Sequence, residues 1–81
     1  SYAERKEQQK KISKAEKAVA ASEKKISEME DRLKQLDQLL MDPAQASNME
    51  LVTEYTNIKA ALDEEVERWE QLSEAYDALT K

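Results

Sequence analysis

The 81-residue sequence contains no glycine, cysteine, histidine or phenylalanine, and only one proline. Without cysteine or histidine, disulfide bonds and thiolate or imidazole metal sites are excluded. Without glycine, no glycine-rich phosphate-binding loop can form. The shortage of glycine and proline permits long uninterrupted helices, because these two residues disfavour helix interiors most strongly. No apolar run approaches the roughly 18 residues that a membrane-spanning helix requires.

Charged residues make up 38% of the chain and hydrophobic residues 40%, a balance typical of long helices and coiled coils. No histidine or cysteine is available to activate a nucleophile, so we expect no catalytic residue and no cofactor in this chain. One acidic run, Asp63, Glu64, Glu65 and Glu67, has the ligand chemistry for a cation. Successive helical residues point in different directions, however, which favours a solvated acidic face.

Apolar residues recur at alternating spacings of three and four residues in both halves of the chain, as in a coiled-coil heptad repeat. In the first half the series comprises Ile12, Ala15, Val19, Ser22, Ile26, Met29, Leu33, Leu36 and Leu40. In the second half it comprises Leu51, Tyr55, Ile58, Leu62, Glu65, Trp69, Leu72, Tyr76 and Leu79. Ser22 and Glu65 interrupt these two apolar seams, and we expect Val66 to supply the apolar contact that Glu65 lacks.

A bend separates the two series. Pro43 disfavours helical geometry in the residue before it and so ends the first helix. Ser47 and Glu50 have the spacing of a capping box, which predicts Ser47 as the N-cap of the second helix. The predicted elements are helix one over about residues 2–41, a turn over 42–47 and helix two over 48–80. The whole chain is therefore predicted to be a single all-α domain, a two-helix antiparallel coiled-coil hairpin.

The two predicted helices differ in charge. Residues 1–41 carry ten basic and eight acidic residues, whereas residues 48–81 carry three basic and nine acidic residues. Opposite net charges favour pairing of the two helices, although each exposed ion pair contributes only a few tenths of a kcal/mol. Charge therefore helps to select the pairing, and the apolar seams stabilise it.

The predicted pairing brings large side chains of helix two against small ones of helix one. Folding back about the bend places Leu36 near Tyr55, and both Val19 and Ser22 near Trp69. Residues 1–11 are then expected to extend beyond the end of helix two, without a partner.

Basic residues of helix one form a candidate nucleic-acid-binding surface. The candidates are Arg5, Lys6, Lys10, Lys11, Lys14, Lys17, Lys24 and Lys25. The alternative is an ordinary charged surface on which several lysines pair with acids of helix two. The net charge of −5 also argues against a dedicated nucleic-acid binder, although a local patch can act despite it. Tyr55, Trp69 and Tyr76 lie on the seam and are predicted to pack there, whereas Tyr2 lies outside it and is free to stack on a base.

Three segments occur in a suggestive order: S-Y-A-E-R-K-E-Q at residues 1–8, L-L-M-D-P at residues 39–43 and V-E-R-W-E-Q-L at residues 66–72. Together they resemble the C-terminal coiled-coil domain of ABC-F proteins, ATPases with two ATP-binding cassettes and no membrane domain. The resemblance covers essentially the whole chain. In that family an L-x-D-P turn joins the two helices, and an E-R-W-E-x-L stretch lies on the second.

The resemblance implies that the chain is a fragment of a larger cytoplasmic ATPase, whose cassettes hold the ATP and magnesium. None of the cassette motifs is present in this sequence. It further implies a translation-related role on the ribosome, with DNA or ribosomal RNA and the ATP-binding cassettes of the same chain as partners. We expect a monomeric hairpin that does not enter a membrane. Two alternatives remain: a purely structural or protein-interaction coiled coil, and the tRNA-binding arm of a synthetase.

Overall fold

The computed structural model describes all residues from Ser1 to Lys81 and contains two helices, α1 (Tyr2–Met41) and α2 (Met49–Thr80). The helices pack against each other as an antiparallel hairpin of about 66 × 17 × 15 Å. Since α1 has 40 residues and rises about 1.5 Å per residue, its length accounts for the long dimension. The predicted all-α, two-helix fold is confirmed. Neither helix has an apolar stretch long enough to cross a membrane.

Local hydrogen bonds define both ends of α1. The Ser1 hydroxyl accepts a hydrogen bond from the Glu4 backbone N–H at 3.3 Å, and the Glu4 carboxylate accepts one from the Ser1 amino group at 3.4 Å. This reciprocal capping box satisfies donors that a helix N-terminus otherwise leaves unpaired. At the other end Asp42 adopts an extended conformation, and its N–H donates to the Leu39 carbonyl at 3.2 Å. Pro43 explains this ending, because its ring disfavours helical geometry at Asp42.

The N-cap of α2 is Asn48, so the prediction of Ser47 was wrong by one residue. The Asn48 side-chain oxygen accepts a hydrogen bond from the Glu50 N–H at 3.1 Å. The Asn48 backbone N–H donates to the Gln45 carbonyl at 3.0 Å, which closes the bend. Asparagine and serine cap helices about equally well, so the path of the bend decides which of them acts.

The predicted seam residues of both helices lie between α1 and α2. Leu36 is fully buried, Ser22 is 2% exposed, and the remaining seam residues are half-buried. Two helices cannot enclose a broad interior, so a single apolar side chain, that of Leu36, is completely removed from water. The seam, and no larger core, therefore holds the hairpin closed.

The two polar interruptions of the seam are partners. The Ser22 hydroxyl donates a hydrogen bond to the Glu65 carboxylate at 2.6 Å. Because burying a polar group costs free energy unless it is hydrogen-bonded, each residue compensates for the other. Val66, which was expected to supply the apolar contact that Glu65 lacks, is 36% exposed and lines a groove together with Ile26 and Trp69.

A second contact establishes the register along the hairpin. The Gln8 side-chain amide donates to the Leu79 carbonyl at 3.2 Å. Gln8 lies two heptads before Ser22, and Leu79 lies two heptads after Glu65. The two contacts therefore require the same alignment of α1 with α2. Ser22 thus lies opposite Glu65, whereas the predicted pairing put it opposite Trp69, about one helical turn away.

The same register changes two further expectations. Two heptads from Ser22 toward the bend, Leu36 lies opposite Leu51 and one turn from its predicted neighbour Tyr55. At the other end, the Gln8 contact shows that residues 1–11 do not all extend beyond α2. The unpaired extension of α1 comprises only about its first one and a half turns.

Candidate nucleic-acid interface

Three of the candidate basic residues, Lys10, Lys17 and Lys24, form a straight row on the outer side of α1. They are spaced seven residues apart, the same repeat as the seam, and all three are exposed. Each lies two residues before a seam position, on the side of the helix that faces away from α2. Seven residues rise about 10 Å along a helix. We call these three residues the lysine row.

Two more candidates widen the lysine row into a patch. Lys6 and Lys14 each lie four residues from Lys10, and residues four apart are neighbours on a helix surface. Both are exposed, so residues 6–24 of α1 present five ammonium groups on one face. Such a face meets the first requirement for contact with a polyanion, a local excess of positive charge.

The other three candidates lie elsewhere on α1. Lys11 and Lys25 precede seam residues, on the flank of α1 that also carries Arg32. Arg5 lies in the extension beyond the end of α2. Lys11 and Lys25 lie along the border of the patch. Arg5 is close to the patch only at its N-terminal end, where it lines a depression together with Lys6.

None of the eight candidates forms an ion pair. The ion pairs of the hairpin are that of the Ser1 amino group with Glu4 and that of Arg32 with Glu54. The expected pairing of several lysines with carboxylates of α2 is therefore absent, and an ordinary charged surface stays the alternative to a nucleic-acid interface. Ammonium groups without protein partners keep their full charge available for phosphate groups.

The Arg32–Glu54 ion pair is the link between the charged surfaces of the two helices. Arg32 Nε donates to Glu54 Oε2 at 2.6 Å, and Nη2 donates to Glu54 Oε1 at 2.8 Å, a bidentate arrangement. The hydrogen bonds from Arg32 hold the pKa of Glu54 below its usual value, and those to Glu54 raise the pKa of Arg32. Sequence reasoning missed this pair, although each residue immediately precedes a seam residue and such flanking positions meet in antiparallel hairpins.

An exposed aromatic residue lies at the N-terminal end of the patch. Tyr2 is 80% exposed and lines a shallow depression together with Arg5, Lys6 and Gln9. An exposed ring among basic side chains is the combination that stacks on an unpaired base. In contrast, the seam aromatics Tyr55, Trp69 and Tyr76 are half-buried.

The acidic run of α2 does not converge on a point. Asp63, Glu64 and Glu67 are exposed, whereas Glu65 lies in the seam with Ser22. No group of three or more acidic side chains has an arrangement that could hold a metal ion. The run therefore acts as a charged surface of α2.

The hairpin thus has one positively charged face and one negatively charged helix on a narrow rod. Its surface depressions are shallow, so the geometry suits contact with an extended polyanion better than enclosure of a small ligand. Comparison with protein-family models, with curated proteins and with solved structures gives no match.

Proposed function

We propose that this chain is the non-catalytic C-terminal coiled-coil arm of an ABC-F ATPase, and that it contacts DNA or ribosomal RNA. The contact is made through the patch of α1, and it supports the translation-related role of the ATPase. Three sequence segments in family order support the assignment, and the antiparallel hairpin is the architecture that the family resemblance implies. The single observation that carries the nucleic-acid contact is the lysine row without ion-pair partners.

The charge distribution also orients the arm. Because the lysine row faces away from α2, a phosphate backbone can approach α1 without meeting the carboxylates of the second helix. The acidic α2 is repelled by the same backbone and turns outward. The net charge of −5 then limits affinity and favours one orientation.

The strength of the contact follows from the small number of ammonium groups. Five lysines that neutralise phosphates give sequence-independent binding that weakens steeply with salt. Dissociation constants for non-specific contacts of this kind are about 10⁻⁴–10⁻⁶ M at physiological salt, and they are tighter at low salt. The arm therefore adds to the affinity of a larger protein and is a weak binder alone.

A gel-shift titration at low salt, with duplex DNA and with a ribosomal RNA fragment, tests the contact. Charge reversal in K10E/K17E/K24E is expected to abolish the shift. The matched control is K34E/K59E/K81E, which changes the net charge equally but leaves the lysine row intact; it is expected to retain most of the binding. Equal loss in both variants, or no shift by the original chain, would contradict the proposal.

The parent assignment is tested separately. The gene that encodes this chain is expected to encode two ATP-binding cassettes ahead of it, and sequencing of the complete reading frame decides this. A synthetase core in that position would replace the proposal with the tRNA-binding alternative. Nucleic-acid binding by the isolated hairpin does not depend on that outcome.

A further inference from the structure

The two flanks of the seam differ in how well their charges are matched. On one flank the bidentate Arg32–Glu54 pair joins α1 to α2. The other flank of α1 carries four carboxylates, each directly after a seam residue and seven residues from the next. These residues, Glu16, Glu23, Glu30 and Asp37, are called the carboxylate row. A row of this kind lies beside the seam and parallel to it.

The residues of the carboxylate row form no ion pair within the hairpin. All four residues are exposed. The positions that α2 presents to this flank, one residue after alternate seam positions, are Val52, Lys59, Val66 and Ser73. Lys59 is the basic residue among them, and its ammonium group lies 5.9 Å from the centre of the Tyr55 ring. The fold therefore leaves four carboxylates without an ion pair, and the basic residues beside them are Lys34 of α1 and Lys59 of α2.

A groove with an apolar floor runs beside this row at the middle of the hairpin. It is lined by Glu23, Ile26, Ser27, Glu30, Val66 and Trp69 and has a volume of about 300 Å³. Val66 is 36% exposed there, and Trp69 Nε1 is buried with no hydrogen-bond acceptor. A buried donor without an acceptor costs about 1–3 kcal/mol. The hydrogen-bonding groups on this side of the seam are therefore less completely paired than those on the Arg32 side.

We propose that this side groove docks a basic amphipathic helix of a partner protein, which adds a third helix to the hairpin. The apolar stripe of that helix packs on Ile26, Val66 and Trp69. Lysine or arginine residues on its flank pair with the carboxylates of Glu23 and Glu30. Because these two are seven residues apart, a helix with basic residues seven apart matches them, as flanking charges do in coiled coils.

The observations favour this occupant over a second copy of the chain. A second copy has its own carboxylate row and a net charge of −5, so two side grooves repel each other. The lysine row has the matching seven-residue repeat, but the residues beside it are small or charged: Lys6, Glu7, Ser13, Lys14, Ala20, Ala21, Ser27 and Glu28. It offers no large apolar side chain for the groove.

Trp69 provides a direct readout, because it lines the groove and is the one tryptophan of the chain. The probe is a synthetic three-heptad peptide without tryptophan, with leucine on one stripe and lysine on both flanks. Titration of the 81-residue hairpin with this peptide is expected to shift the Trp69 emission in a saturable way with one peptide per hairpin. A peptide with glutamate in place of each lysine is expected to leave the emission unchanged.

Paired variants test which carboxylates act. E23K/E30K is expected to weaken binding of the basic peptide at least about tenfold, since two attractive pairs become repulsive. The control E67K/E74K changes the net charge equally on the outer side of α2 and is expected to bind within about twofold of the original chain. Circular dichroism checks that both variants fold, and a gel shift with duplex DNA checks that the lysine row of both still binds.

Three results would overturn the proposal: no change in Trp69 emission with the basic peptide, equal weakening by both double variants, and an equal response to the acidic peptide. Sedimentation gives a further decisive outcome. If the hairpin forms a dimer and E23K/E30K abolishes that dimer, the groove is occupied by a second copy and the partner helix is refuted.

Discussion

Replacement of Leu36 by alanine is the sharpest test of how the hairpin is held together. Leu36 is fully buried, and it is the one apolar side chain of the chain that is removed from water completely. The seam residues around it remain partly in contact with solvent. If the seam supplies the stability, this position should be the most sensitive point of the fold.

The expected cost follows from the burial of the side chain. Full burial of a leucine is worth about 1.5–3 kcal/mol, and the cavity left by truncation adds to this. Measured Leu→Ala costs in cores are about 2–5 kcal/mol. We expect about 3 kcal/mol for L36A, because neighbouring half-buried side chains can relax into part of the space. Domains are stable by only about 0.05–0.15 kcal/mol per residue, so this loss is a large share of the total.

Urea unfolding followed by circular dichroism measures the difference. The matched control is L39A, because Leu39 is on the same turn of α1 but is 40% exposed. L39A is expected to cost less than about 1 kcal/mol. A cost for L36A no greater than that for L39A would refute the claim that the seam holds the hairpin closed.

The remaining predictions concern polar contacts. S22A is expected to destabilise the hairpin by about 1–2 kcal/mol because the Glu65 carboxylate loses its partner, whereas S22A/E65L recovers most of that loss in urea unfolding; equal costs would contradict the pairing. N48A is expected to lower the free energy of unfolding by about 1 kcal/mol in the same assay, and S47A is expected to lower it less. A larger loss for S47A than for N48A would contradict the observed N-cap. Since Arg32 lowers the folded-state pKa of Glu54, the pair stabilises the fold above the ordinary pKa of glutamate, and this contribution is lost as pH falls through the lowered value. An NMR titration of R32Q is therefore expected to show a higher Glu54 pKa than the original chain, and an unchanged value would contradict the ion pair.

The helices, the bend and the seam residues were predictable because each leaves a local signal. Heptad spacing gives the seams, and Pro43 gives the end of α1. The sequence did not determine the N-cap residue of α2, because Ser47 and Asn48 are adjacent residues with similar capping ability. Only the path of the bend distinguishes them, and that path depends on the whole hairpin.

The register was missed because apolar layers alone do not determine it. A shift of one helical turn again brings apolar residues against apolar residues, so the seams fit almost equally well. The polar interruptions do discriminate, since Ser22 and Glu65 satisfy each other in one register only. Pairing the two interruptions first would have predicted the observed arrangement from the sequence.

The candidate interface was predictable in composition and only partly in geometry. The seven-residue spacing of Lys10, Lys17 and Lys24 is visible in the sequence. Their lack of ion-pair partners is not, because long charged side chains on two helices can pair in many ways and the register decides which do. The carboxylate row is equally visible, yet its lack of a partner emerges only from what α2 places beside it.

The salt dependence of nucleic-acid binding tests the role of the lysine row most directly. Each lysine that neutralises a phosphate of duplex DNA contributes about 0.9 to the slope of log affinity against log salt concentration. K10Q/K17Q/K24Q is therefore expected to reduce the magnitude of that slope by roughly three, whereas K34Q/K59Q/K81Q leaves it nearly unchanged. An unaltered slope after loss of the lysine row, or an equal reduction in the control, would contradict this account of the arm.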